Sequence, residues 1–565
     1  MDHGREIKEF RRLRIPLWLV WAVALLCVLA LLGSSAILDN NEGLYAEIPR
    51  EMLAAHDWRA WIIPHLNGLP YMEKPPLLYW LTALSFAVFG VSEWSARLVP
   101  ALSSLACVAL LLWFGRTLAR PQAGRLAAIV FVSGIGVTAM SRVLMFDMLL
   151  TALLTAALMH AYLYFLHQRA AHLRWSYACL ALALLAKGLV ALILFGLVLV
   201  SWRILVSRSP AAIWRDVIQC LEPWALLVFL VIAVPWHVAA SMVEPIFAWF
   251  YFINEHVLRF LGQREPHDYY SGPWWYYLPR MLLYLFPWSL LLLGMLARKR
   301  QTLEPELPHL RSFLWLAWLM PLLFFSISSA KANYYLVAVM PFAALHLALA
   351  VEDRNGLTIA GRVLPGLLVA LLALAAIGAA AKMAVHEGLR ILGMAQTPFV
   401  IGMLVGIAVL GLLSAVVAWR LPRIGVLAYL TLPLWITGAL LAVLLALEPW
   451  ISTKQTATYL QTKLPEREVY LYREFEKQSS LPFYLKQPVG VIDSVSNDLY
   501  WGNKLRRNEI MVSAATIAKR AETKPLAVVV LDATRKDFEA DPHFARFKSE
   551  KRIGDSWIFI NQTSR

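Results

Sequence analysis

Apolar stretches long enough to cross about 30 Å of hydrocarbon recur from residue 15 to residue 447, joined by short polar connections. Beyond residue 447 the pattern changes. Short β-type runs at 468–472, 489–493, 526–531 and 557–560 alternate with polar helical stretches such as 513–522. The pattern predicts a polytopic α-helical membrane part over residues 1–447 and a small α/β domain over residues 448–565.

Two stretches are ambiguous by hydropathy, and the side on which Lys and Arg fall resolves both. Residues 75–90 open with Pro75-Pro76. If they crossed the membrane, the loop of Arg116, Arg120 and Arg125 and every later basic loop would move to the outside. They are therefore expected to form a helix at the outer interface. Residues 175–206 would make a helix of roughly 48 Å, too long for one span. Two short helices meeting at an outer turn near Lys187-Gly188 keep Arg169 and Arg174 on the same side as Arg203, Arg208 and Arg215.

With those choices thirteen spans are expected, at 15–37, 97–115, 126–141, 146–166, 175–187, 189–206, 222–241, 279–297, 312–328, 333–351, 363–383, 399–418 and 425–447. The N-terminus, with Arg5, Lys8, Arg11, Arg12 and Arg14, then faces the cytoplasm. So do the loops of Arg298-Lys299-Arg300, of Arg354 and Arg362, and of Arg420 and Arg423. The C-terminal domain falls outside. The first span is too long for a signal-peptide core and is read as uncleaved.

Composition agrees, at 59% hydrophobic residues. The net charge of +15 sits in the short loops, where it orients the chain and meets anionic headgroups, so nucleic acid is excluded as a partner. The four cysteines, Cys27, Cys107, Cys179 and Cys220, lie in or beside apolar segments and imply no disulfide framework or Cys-based metal site.

Ionisable side chains near lipid have a task more often than not, and here they gather on the outer side. The outer loops are 38–96, 242–278 and 328–335, with a short turn at 141–147. The first carries Asp39, Asn41 and Glu42 just past the first span, then Tyr71-Met72-Glu73-Lys74-Pro75-Pro76. Lys74 stands between a tyrosine, a glutamate and a rigid turn, which suits holding a phosphate. The second loop carries Asn254-Glu255-His256-Val257-Leu258-Arg259-Phe260, with His256 and Arg259 on one helical face. Asp147 opens a span, and Lys331 and Tyr334 occupy a tight turn. Nothing in the C-terminal domain has a catalytic pattern: it has no glycine-rich phosphate loop and no His/Asp/Ser constellation.

In that order, these motifs resemble the 4-amino-4-deoxy-L-arabinose transferases of Gram-negative bacteria, the ArnT family. The resemblance also rests on Ala186-Lys187-Gly188, Pro273-Trp274-Trp275-Tyr276-Tyr277-Leu278-Pro279 and Phe324-Phe325-Ser326-Ile327-Ser328-Ser329-Ala330-Lys331. It runs along nearly the whole chain. Two departures stand out: Asn41 where the family commonly has an aspartate, and Lys331-Ala332-Asn333-Tyr334-Tyr335 where it often reads Lys-Leu-Pro-x-Tyr. The resemblance implies the GT-C glycosyltransferase fold, related to protein O-mannosyltransferases. It implies transfer of aminoarabinose from undecaprenyl phosphate to lipid A phosphates at the periplasmic face of the inner membrane, with inversion and with resistance to polymyxin.

For that chemistry Lys74 and Arg259, with Tyr71, Tyr334 and Lys331, are expected to hold the donor phosphate as its bond to the sugar breaks. Asp147, Glu42 and Asp39 are the expected catalytic carboxylates, steadying an oxocarbenium-like sugar or its ammonium group. A phosphate acceptor is already anionic and needs little help from a base. Glu73 and His256 form a carboxylate–imidazole pair of the kind that holds a divalent cation such as zinc. The expected partners are the lipid-linked donor, lipid A and the bilayer, with the chain a monomer. The competing readings are another polyprenyl-phosphate glycosyltransferase of protein O-mannosyltransferase type, or a non-enzymatic lipid transporter.

Overall fold

The structure is a computed structural model that describes residues 15–207, 209–267, 272–292, 309–353, 359–387, 397–421, 425–506 and 510–562. Arg5, Lys8, Arg11, Arg12, Arg14, Arg208, Arg298, Lys299, Arg300, Arg354 and Arg423, used above to orient the chain, lie outside the described residues.

Nine of the described helices are long and apolar enough to cross a membrane, from Glu93–Thr117 to Leu427–Ala446. Phe146–His167 is buried along most of its length, and it packs against Glu93–Thr117 and Ala170–Lys187. At the far end of the bundle Ile359–Glu387 packs on Thr397–Arg420 through glycines. A Cβ on Gly366 would lie 2.3 Å from the Gly411 carbonyl oxygen, so only hydrogen fits at this close approach.

Residues 170–207 form two helices, Ala170–Lys187 and Val190–Ser207, as their length requires. The break is at Gly188, whose φ of +84° suits glycine, and a Cβ there would lie 2.5 Å from His256 Nε2. Residues 77–89 form the 13-residue helix Leu77–Phe89.

Three expected spans are shorter or interrupted. The first helix, Leu17–Leu29, ends well before residue 37 because the chain beyond it turns its carbonyls onto a buried guanidinium. Arg97 Nη1 donates to Leu32 O at 3.2 Å and Ser35 O at 2.8 Å, and Nη2 donates to Ala36 O at 2.7 Å. The 126–141 stretch breaks at Gly134, between Pro121–Ser133 and Ile135–Met140. There Ile135 N–H donates to Phe286 O at 3.2 Å, and a Cβ on Gly134 would lie 2.6 Å from Tyr284 O. The helix Tyr277–Tyr284 stops before Pro287, whose ring cannot continue it, and the stretch from residue 293 lies outside the described residues.

An outer loop holds a short antiparallel pair, β1 (His65–Leu66) and β2 (Leu69–Pro70), and the C-terminal sheet has six strands, β3 (Glu468–Tyr472), β4 (Gly490–Ile492), β5 (Met511–Val512), β6 (Leu526–Leu531), β7 (Phe547–Ile553) and β8 (Ser556–Asn561), in the order β5-β4-β3-β6-β8-β7. The first four are parallel; β8 and β7 are antiparallel additions. Central β6 is buried along all six residues, hence its unbroken apolar run. The edge strand β7 lacks the apolar run of a strand in the sequence, because its five consecutive exposed residues include Lys548, Glu550, Lys551 and Arg552. Charge of that kind discourages edge pairing with other chains.

Alternation along β6 gives the sheet two different faces. Val528 and Val530 pack with Phe538 and Phe544, whereas Ala527 and Val529 join a core with Leu44, Tyr45 and Ile48 of the outer helix Asn41–Ala54. The domain is therefore docked on the membrane part by a shared core. Paired hydrogen bonds set the registration: Asn67 Nδ2 donates to Val489 O, and Val489 N–H donates to Asn67 Oδ1, each at 2.8 Å. Asn67 is fully buried.

Replacing Asn67 by alanine leaves both Val489 backbone groups buried without partners, an expected loss of about 2–4 kcal/mol. Limited proteolysis of Asn67→Ala should release the C-terminal domain faster than from the parent. An unchanged digestion rate and melting temperature would show that this pair does not hold the interface.

Candidate functional site

The site is assembled where three outer segments converge. Lys74 stands in a bend, and the two prolines after it lead into Leu77–Phe89. The second segment is a π-helix, Trp249–Leu258, one of the wide turns that often occur at functional sites. Its His256 donates from Nδ1 to Tyr251 O at 2.6 Å and accepts at Nε2 from Leu189 N–H at 3.0 Å, so the imidazole ties the π-helix to the turn after Gly188. Burial holds its pKa below the ordinary value, consistent with this neutral tautomer.

The third segment is the reversal after the π-helix. Gly262 adopts φ +75°, and Asn254 pins the returning chain by donating from Nδ2 to Glu265 O and accepting from Glu265 N–H. That return carries Arg264 back over the site. The C-terminal domain clamps the same loop. Trp501 Nε1 donates to Glu265 O at 2.8 Å, Tyr500 Oη to Glu265 Oε1 at 2.8 Å, and Asn497 Nδ2 to His267 O at 3.0 Å.

The result is a compact charge cluster. Arg264 bridges two carboxylates, Nη2 to Glu73 Oε1 at 2.7 Å and Nε to Glu255 Oε1. Arg259 Nη1 reaches Glu255 Oε2 at 3.1 Å, and Lys74 Nζ lies 3.7 Å from both Glu255 Oε2 and Glu73 Oε2. Burial alone would push the Glu255 carboxyl up, but the charges of Arg264, Lys74 and Arg259 outweigh it and hold the group below the usual carboxylate range. Three cations face two carboxylates, so the cluster carries one positive charge in excess. An anion bound there would complete it.

The cluster opens into a cavity of about 820 Å³. Apolar side chains, among them Leu189, Val190, Ile193, Phe260 and Phe324, line one part of it, and the second ion pair, Asp147 with Lys187, lines another. Lys187 also lies over the rings of Tyr335 and Tyr334, at 4.7 and 5.4 Å.

Of the residues expected from the sequence, Lys74, Arg259, Asp147, Tyr334, Glu73 and His256 line this cavity; Asp39, Glu42, Tyr71 and Lys331 do not. Asp39 sits at the domain junction, where its Oδ1 faces Ser480 N–H at 2.9 Å and Ser480 Oγ at 2.7 Å, and burial pushes its pKa up to about 8. Glu42 is occupied by four donors: Arg97 Nε and Nη2, each at 2.8 Å, Leu38 N–H at 2.9 Å and Leu144 N–H at 3.0 Å. Tyr71 is buried behind the cluster, its hydroxyl donating to Glu73 Oε2 at 3.3 Å. The Lys331 ammonium caps the helix Leu310–Ile327, donating to the carbonyls of Phe325, Ser326 and Ser328. As for the expected metal pair, the His256 lone pair already accepts from Leu189 N–H and Glu73 is engaged by Arg264 and Lys74. Among the described residues no group of three or more His, Cys, Asp or Glu side chains is arranged for a metal ion.

Sequence reasoning missed Glu255, Lys187, Arg264 and the lining residues of the C-terminal domain, Glu476, Asp498 and Asn497 among them. The four-residue spacing of Glu255 and Arg259 was a usable signal, since it places opposite charges on one helical face. Arg264 and Asp498 reach the site only through tertiary folding, and no local pattern marks them.

Comparison with known proteins places this geometry. A family model described as dolichyl-phosphate-mannose-protein mannosyltransferase matches residues 73–238. An undecaprenyl phosphate-alpha-4-amino-4-deoxy-L-arabinose arabinosyl transferase of Pseudomonas fluorescens is 31% identical over 350 residues, covering 61% of this chain and 60% of the relative. One of the same description from Serratia proteamaculans is 29% identical over 390 residues, covering 65% and 66%. The matched region thus spans less than two thirds of these curated relatives. The structural likeness runs further: the crystal structure of ArnT from Cupriavidus metallidurans bound to undecaprenyl phosphate superposes with a TM-score of 0.78 at 25% identity, covering 97% of this chain and 98% of that one. The chain is a multi-pass membrane protein that shares the ArnT form of the GT-C fold from end to end, with its small C-terminal α/β domain, and it is related in sequence to the aminoarabinosyl transferases.

Arg97 and Glu42 are both almost fully buried, at 1% and 2% exposure, so Arg97→Met should strand the carboxylate and cost roughly 3–5 kcal/mol. The measurement is thermal unfolding of the purified protein. A melting temperature equal to that of the parent would mean that the pair contributes nothing to the fold.

Proposed function

We propose that the chain is a glycosyltransferase that moves 4-amino-4-deoxy-L-arabinose from undecaprenyl phosphate to a phosphate group of lipid A on the outer side of the inner membrane. The observation that carries this reading is the surplus positive charge of Lys74, Arg259 and Arg264 over Glu73 and Glu255, set in the lining of a cavity that is also lined by apolar side chains. A polyprenyl phosphate needs both features: cations for its head and apolar surface for its tail. The undecaprenyl phosphate bound to the Cupriavidus protein and the activity named for the sequence relatives support the choice of donor.

In the reaction the bond between the anomeric carbon and the phosphate oxygen breaks, and the departing phosphate keeps the electron pair. Lys74 and Arg259 offset the charge that gathers on it. An oxygen of the acceptor phosphate attacks the opposite face of the sugar and inverts the centre. That oxygen is already anionic, so Asn41, which lines the cavity where the family commonly has an aspartate, is compatible with the step. Asp147, held by Lys187, faces the same space as a negative group for the developing oxocarbenium ion. Glu73 holds Arg264 and Lys74 in place; with these residues so engaged the reaction is derived without a metal ion.

The match of residues 73–238 to the mannosyltransferase family favours one alternative, a protein hydroxyl acceptor. Such an acceptor has to lose a proton, and the amide at Asn41 cannot take it. In the proposed orientation the N-terminus is cytoplasmic and the C-terminal domain periplasmic.

Purified protein incubated with the aminoarabinose donor and lipid A should yield aminoarabinose-modified lipid A by mass spectrometry. Lys74→Ala and Arg259→Ala should each lower kcat/KM by roughly 100-fold or more, with the fold intact. Parent-like rates in both variants, or transfer only to a protein acceptor, would refute the assignment. Single cysteines at the exposed positions Glu539 and Glu550 should react with an impermeant maleimide from the periplasmic side of intact cells. Labelling only after lysis would reverse the orientation.

A further inference from the structure

We infer that the carboxylate of Asp498, supplied by the C-terminal domain, recognises the cationic amine of an amino-sugar donor. The inference rests on the proposed transferase reading and assigns the amine to a wall of the cavity that the membrane helices do not provide.

Asp498 stands in the first turn of Asn497–Leu505, and that turn is held by one neighbour. Glu476 Oε1 accepts from Ser496 Oγ at 2.6 Å and from Asp498 N–H at 3.1 Å, while Ser496 Oγ accepts from Leu499 N–H at 3.3 Å. This anchoring uses the backbone of Asp498 and leaves its side chain to line the same cavity as Lys74, Glu73 and Arg264. No hydrogen bond or ion pair reaches its carboxylate oxygens among the described residues.

Other carboxylates that line the cavity are engaged. Asp147 is paired with Lys187, Glu73 and Glu255 share Arg264, Glu474 is paired with Lys477, and Glu476 accepts from Ser496 Oγ and Asp498 N–H. A sugar ammonium arriving at any of them would compete with a resident cation or hydrogen-bond donor. Asp498 makes no ion pair among the described residues and is half-buried; the charges of Arg264 and Lys74 reach it only through space, without a direct contact. Burial, reinforced by the charges of Glu73 and Glu476 and only partly offset by those of Arg264 and Lys74, holds its carboxyl well above the usual carboxylate range. An incoming ammonium brings a positive charge into direct contact with it, which favours the ionised carboxylate and forms the ion pair.

The cavity then carries two kinds of group that match the two charges of one donor head. The cationic cluster faces its phosphate and Asp498 faces its amine. A sugar with a hydroxyl in place of the amine leaves the carboxylate without its ion pair, and discrimination follows from that difference.

The test uses the full-length protein in nanodiscs, lipid A as acceptor, and two synthetic donors: undecaprenyl phosphate carrying 4-amino-4-deoxy-L-arabinose, and the analogue with a 4-hydroxyl. The readout is the ratio of kcat/KM for the two donors. The parent should favour the amino donor by about tenfold or more, and D498N should bring the ratio close to one. A ratio in D498N equal to that of the parent, including the case where both donors slow equally, overturns the inference while the transferase reading stands. If the parent transfers neither donor, the transferase reading falls and this inference with it. Melting curves check folding, and D498S takes the place of D498N if the asparagine variant does not fold.

Discussion

A guanidinium and a carboxylate withdrawn from water each lose several kcal/mol of hydration, and they persist inside a protein only when they face one another. The outer end of this helix bundle is organised by that constraint. Arg264, 5% exposed, is held between Glu73 and Glu255; Arg97 is held by Glu42; Lys187 is held by Asp147. Except for Arg264 with Glu255, nine residues apart, each pair satisfies one segment against another that is distant in sequence. The ionic contacts of the site therefore also join its outer loops to its helices. The cluster of Lys74, Arg259 and Arg264 departs from neutrality by one charge, and that imbalance distinguishes a binding site from a structural network.

The backbone provides what the charges require. A π-helix and two glycines with positive φ, Gly188 and Gly262, bring the segments within reach. His256 acts through hydrogen bonding: its two ring nitrogens join the π-helix to the turn between the helices Ala170–Lys187 and Val190–Ser207. A ring used in this way fixes the neutral tautomer. The same logic explains Lys331, whose ammonium closes the end of a helix instead of facing the cavity. Lysine near a helix C-terminus meets the unsatisfied carbonyls there, and the dipole favours it.

The C-terminal domain extends this scheme. One face of its sheet continues the core of the outer helix Asn41–Ala54, and its helix Asn497–Leu505 holds the loop that carries Arg264. Nothing in its sequence has a catalytic pattern, yet it forms a wall of the cavity and grips a residue of the cationic cluster. A domain placed over an active site in this way couples its own docking to the geometry of the charges beneath it.

Hydropathy and charge by themselves determined the division into a membrane part and an α/β domain, the break near Gly188, and the segments that bear Lys74, Arg259 and Asp147. These follow from local quantities, because apolar length, β-type runs and the side on which Lys and Arg fall are all readable within a short window. The tertiary structure decided which charges meet. Asp39, Glu42 and Lys331 look like site residues in sequence because they sit in outer segments, but each finds its partner away from the cavity. Arg264 and Asp498 carry no local mark and enter the site because a chain reversal and a docked domain bring them there. Ion pairing depends on separation in space over a few ångströms, and sequence separation says little about that when the partners lie on different helices or domains.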